Sequence, residues 1–69
     1  LKVIDEVKDQ LPEKHHYLID GPDNDLDGSP LVIRYNKNLD IHYLSAEKDG
    51  KRTGNNYFFE EGSWQRKEK

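Results

Sequence analysis

Three closely spaced turn signals constrain this chain more than any other feature. Asn36-Lys37-Asn38, Asp49-Gly50 and Glu61-Gly62 each interrupt a stretch suited to extended backbone. Loops of two or three residues join antiparallel neighbours, whereas a parallel crossover takes a dozen residues or more. The second half of the chain is therefore committed to an antiparallel meander.

The register can be argued from the faces it creates. A three-residue loop at 36–38, with Asn38 left-handed, sets Tyr35 opposite Leu39, Ile33 opposite Ile41 and Leu31 opposite Tyr43. All six apolar side chains then share one face. A two-residue loop at Lys37-Asn38 would pair Ile33 with His42 and mix the faces, so the first register is preferred. The Asp49-Gly50 turn sets Glu47 opposite Arg52, Phe58 opposite Ile41 and Tyr57 opposite His42, unless a bulge in the poor strand formers 53–56 shifts the pairing. The Glu61-Gly62 turn places Phe59 opposite Trp64 and Tyr57 opposite Arg66. One face then holds Leu31, Ile33, Tyr35, Leu39, Ile41, Tyr43 and Phe58; the other holds His42, Leu44, Tyr57, Phe59, Trp64 and Arg66.

Ahead of the meander, Leu1, Ile4, Val7 and Leu11 follow helical spacing and Pro12 ends the run, which predicts an amphipathic helix over 1–11. Residues 15–20 read as a first strand, and 21–30 as a loop rich in Gly, Pro, Asp and Asn. The expected fold class is α+β: an N-terminal amphipathic helix packed on a four- to five-stranded antiparallel β-meander, strongly curled if both faces are to be covered. Residues 1–69 are read as a single small domain, since 69 residues allow no more. There is no methionine and no N-cap residue before Leu1, so the natural chain is expected to begin earlier.

A domain this short buries only about 60% of its unfolded surface, and without cysteine no disulfide or zinc-thiolate can reinforce it. Apolar residues make up 32% and charged residues 36%, and the seven aromatics supply the area a core needs. No apolar run approaches the ~20 residues of a membrane span. Residues 1–29 carry a net charge of −5 and residues 30–69 a net +2. The net −3 of the whole argues against a nucleic-acid binder of the usual basic kind, so no nucleic-acid partner is expected.

The stretch Asp49-Gly50-Lys51-Arg52-Thr53-Gly54, followed by Tyr57-Phe58-Phe59-Glu60-Glu61-Gly62, resembles one unit of the MORN-type hairpin repeats. One copy cannot bury a repeat core, so it is read as hairpin chemistry.

The second face supplies the functional expectation. His42, Tyr57, Phe59, Trp64 and Arg66 are taken as partner-binding residues, because exposed aromatics with Arg mark interface hot spots. The expected function is a non-enzymatic protein-interaction module (adaptor, inhibitor, immunity-type or cell-surface domain), with a homodimer through an exposed edge strand as a further option. The alternative is a calcium-dependent extracellular module. Asp23, Asp25 and Asp27, followed by Gly28, match the D-x-D-x-D-G opening of a calcium loop, but Arg34 stands where an EF-hand needs a bidentate Glu. Otherwise no cofactor is expected. His15 and His16 are adjacent, and on a strand they would point to opposite faces. Stacking of bases on Tyr57–Phe59 and Trp64, beside Lys51-Arg52 and Arg66-Lys67, is weighed and set behind protein binding because Glu60, Glu61 and Glu68 lie among them. No nucleophile elbow, phosphate loop or H-E-x-x-H helix is present, so no catalytic residue is named.

Overall fold

The computed structural model describes residues 11–68. The expected helix over 1–11 therefore lies outside the described residues, apart from Leu11, which is buried. Over that range the fold is one short helix and a four-stranded antiparallel sheet, β1 (Leu31–Asn36), β2 (Ile41–Lys48), β3 (Lys51–Glu60) and β4 (Ser63–Lys67), in the order β1-β2-β3-β4.

The strand expected over 15–20 is instead a 3-10 helix, Glu13–Asp20. Pro12 opens it and its carbonyl accepts the His15 N–H at 2.8 Å. The buried residues His15 and Leu18 are three apart, the spacing at which 3-10 side chains line up. With four strands rather than five, the meander is complete without this segment. Gly21 ends the helix, its N–H donating to the Leu18 carbonyl. A Cβ on Gly21 would lie 2.9 Å from Trp64 and 3.1 Å from Leu44, so glycine is required for the chain to cross the sheet this closely.

The Glu61-Gly62 hairpin follows the expected register, and the Asp49-Gly50 hairpin follows it only next to the turn. At Asp49-Gly50 and Glu61-Gly62 both turn residues have positive φ, the type I′ pattern whose twist suits a two-residue hairpin. Glu47 pairs with Arg52, Phe59 with Trp64 and Tyr57 with Arg66. Between Arg52 and Asn56 β3 bulges at Gly54 (φ 98°), so that Leu44, not His42, opposes Tyr57. A shift of two residues leaves the faces unchanged.

The β1–β2 hairpin departs from expectation. The connection spans residues 37–40, with Asp40 rather than Asn38 left-handed (φ 51°). Tyr35 pairs with His42, Ile33 with Leu44 and Leu31 with Ala46. This differs by three residues from the expected pairing, and an odd shift turns every β2 side chain to the other face. The two expected faces are thereby recombined. Leu31, Ile33, Leu44, Ala46, Tyr57 and Trp64 share the face beneath the 3-10 helix, while Ile41, Tyr43 and Phe58 lie on the opposite face. The reason is visible in the burial: this register places Leu44 and Ala46 wholly inside, and leaves Leu39 in the turn at 64% exposure. The buried core comprises Leu11, Leu18, Leu31, Leu44, Ala46 and Tyr57, with Tyr17, Ile33 and Trp64 packed against it.

Candidate functional site

The five residues expected to bind a partner, His42, Tyr57, Phe59, Trp64 and Arg66, do share one sheet face. That face is the covered one, which corrects the expectation of a free aromatic patch. Tyr17 stacks on Phe59 at 4.5 Å between ring centroids and meets Trp64 edge-on at 5.7 Å. His42 lies against His15 of the helix, Nδ1 to Nδ1 at 3.2 Å.

Tyr57 and Arg66 are committed to Asp25. Arg66 donates from Nε to Oδ1 at 2.7 Å and from Nη2 to Oδ2 at 3.3 Å. The Tyr57 hydroxyl (2.8 Å), the Leu26 N–H (2.8 Å) and the Asn55 amide (3.2 Å) complete the shell. The Arg66 guanidinium, and then the Tyr57, Leu26 and Asn55 hydrogen bonds, hold the Asp25 carboxyl well below the usual carboxylate range against the opposing effect of burial. Asp25 pushes Arg66 in the opposite sense, further above its ordinary value.

This network decides what the acidic loop does. Asp25 points inward with its side chain wholly buried, and Asp27 accepts the Ser29 N–H at 2.9 Å. The Asp23 carbonyl accepts the Leu31 N–H at 3.0 Å, tying the loop to β1. Among the described residues no cluster of three His, Cys, Asp or Glu side chains is placed to hold a metal. Of Asp23, Asp25 and Asp27, the middle carboxylate anchors the loop to β3 and β4.

The opposite face, the open face, is turned away from the 3-10 helix, although its Ile41, Tyr43 and Phe58 are half-buried and its Ser45 is 1% exposed. Across it runs a row of one side chain per strand: Arg34 opposite Tyr43, Tyr43 stacked on Phe58 at 5.1 Å and 19° between ring planes, and Phe58 opposite Gln65. A neighbouring row holds Val32, Ser45, Asn56 and Lys67. Arg34 pairs with Glu47 at 2.8 Å, and Lys67 lies 3.7 Å from Glu60. Among the described residues the buried Ser45 Oγ and Arg34 Nε have no hydrogen-bond partner, and both belong to this face. The charge split now has a location. The acidic half of the chain includes the helix and loop on the covered side, while the net +2 half forms the sheet that presents the open face. The sequence signal for this face was the run Tyr57-Phe58-Phe59, which puts aromatics on both sides of any strand.

No family model matches the chain. It is similar to a segment of DNA topoisomerase 1 from Salmonella typhimurium, 46% identical over 57 residues, and from Escherichia coli, 42% identical over 57; each alignment covers 83% of this chain. DNA topoisomerase 1 of Pseudomonas aeruginosa is 42% identical over 62 residues, 90% of this chain. The chain spans about 7% of the length of these relatives. Their name is that of an enzyme acting on DNA. That finding overturns the expectations of a non-enzymatic module, of a protein as the partner and of no role for nucleic acid.

Proposed function

We propose that this chain is a DNA-contacting segment of an enzyme of the DNA topoisomerase 1 kind, and that it takes single-stranded DNA on the open sheet face. The observation that carries the reading is the Arg34–Tyr43–Phe58–Gln65 row, with a stacked, half-buried aromatic pair on the side of the sheet away from the 3-10 helix. Stacking of a base on an aromatic ring is worth about 1–3 kcal/mol and needs no particular sequence. Arg52 supplies a cation for the phosphates, joined by Arg34 and Lys67 where phosphate displaces Glu47 and Glu60 from them. A duplex hides its base faces, so the same surface favours a single strand. Similarity to segments of proteins named for action on DNA supports the choice of ligand.

The test is fluorescence anisotropy with a labelled oligothymidylate at two salt concentrations. Tyr43→Ala and Phe58→Ala should each weaken binding roughly 5- to 150-fold, the range that 1–3 kcal/mol implies. Binding should also weaken as salt rises. Wild-type affinity in the Tyr43→Ala/Phe58→Ala double variant would overturn the proposal.

A further inference from the structure

We infer that the His15–His42 pair is an acid-released clasp fastening the 3-10 helix to the sheet. The two rings come from different elements, His15 from the first turn of the helix and His42 from β2. Their centroids are 4.6 Å apart and their Nδ1 atoms 3.2 Å apart, with His15 only 4% exposed. A contact between two ring nitrogens holds one hydrogen: one Nδ1–H donates and the other Nδ1 accepts. A neutral pair or a singly protonated pair satisfies this. A doubly protonated pair places an N–H on each nitrogen and two positive charges at contact, so the closed clasp excludes the second proton.

The surroundings reinforce that bias. Lys14, next to His15 on the helix, adds positive charge. Asp40, from the β1–β2 connection, opposes it, but its two oxygens already accept from Lys14 Nζ at 3.0 Å and from the Tyr35 hydroxyl at 2.7 Å. The Tyr35 ring, from β1, lies 4.6 Å from His42, and the Tyr17 ring meets His15 edge-on at 5.8 Å. Burial is the largest influence on both histidines and lowers each from its ordinary value of 6.5; Lys14 lowers both further, and Asp40 partly offsets this. A histidine lowered in the folded state stabilises the fold fully above the unfolded value and loses that contribution as pH falls through the folded value. Closure is therefore a property of neutral pH, and release begins below about pH 6.5. The other attachments of this helix are Leu18 in the core, Tyr17 on Phe59 and Trp64, and the Lys14–Asp40 ion pair.

The experiment compares the full chain with its His42→Asn variant by thermal melts at pH 7.5 and 5.0, alongside an NMR titration of the imidazoles and of the amides of residues 13–20. An Asn amide can still bond to His15 but takes up no proton. The wild type should lose about 4–8 °C more than His42→Asn on acidification, the scale of shift expected for one such contact in a domain of this size. Amides 13–20 should move together with the imidazoles. Equal losses in the two proteins would overturn the clasp. So would two imidazoles titrating independently near 6.5 with the 13–20 amides unmoved, a readout that needs only the wild type should His42→Asn fail to fold.

Discussion

The face of the sheet beneath the 3-10 helix carries Leu31, Ile33, Leu44, Ala46, Tyr57 and Trp64, and the opposite face carries Val32, Ile41, Tyr43 and Phe58. Both are rich in aliphatic and aromatic groups, so composition does not separate them. What separates them is the polar anchoring of a cover. On the covered face Asp25, Arg66 and Tyr57 hold the 21–30 loop, and His15 meets His42. On the open face the polar groups at the margins, Arg34, Glu47, Glu60 and Lys67, pair within the sheet.

This contrast can be broken at its anchor with the largest effect. Asp25→Ala leaves Arg66 and the Tyr57 hydroxyl without their shared acceptor, and should cost about 3–5 kcal/mol, most of the stability of a domain this small, read from urea unfolding. The same carboxyl makes a pH prediction. Its folded value lies below its unfolded one, so its contribution is full above about pH 4 and is lost as pH falls further; Asp25→Asn should remove that acid limb. Adjacent residues sharpen the comparison next. Leu44→Ala should cost about 2–5 kcal/mol, because Leu44 is wholly buried, while Tyr43→Ala, at a half-buried site one position away on the opposite face, should cost less in the same denaturation. The smallest effect belongs to the loop: with Asp25 already saturated by Arg66, Tyr57 and Asn55, millimolar calcium should leave the melting temperature unchanged within error.

Legibility varied with the kind of evidence each segment offered. The Asp49-Gly50 and Glu61-Gly62 turns were readable, because a two-residue turn ending in Gly sets the pairing beside it. The β1–β2 hairpin was not, because Asn36-Lys37-Asn38-Leu39-Asp40 admits loops of two, three or four residues, each apolar in some register. The observed one draws on contacts far from the loop, the burial of Leu44 and Ala46 against the 3-10 helix and Leu11. That slip reversed the sense of the candidate site. It moved His42, Tyr57, Phe59, Trp64 and Arg66 under cover and brought Tyr43 and Phe58 to the open side. The helix was misread as a strand for a similar reason: residues 15–20 are too few for a period of two to be told from a period of three.

By itself the sequence determined the antiparallel meander, two of its three turns, the pairs Glu47–Arg52, Phe59–Trp64 and Tyr57–Arg66, and the charge division between the two halves. These are local properties, dictated by the φ preferences of a few residues and by counting along strands. The tertiary structure alone decided which face is core, that Asp25 anchors a loop, and that His15 meets His42 across 27 positions of chain. Those outcomes depend on what folds over the sheet, and a single odd step in register, invisible to local preference, exchanges inside for outside.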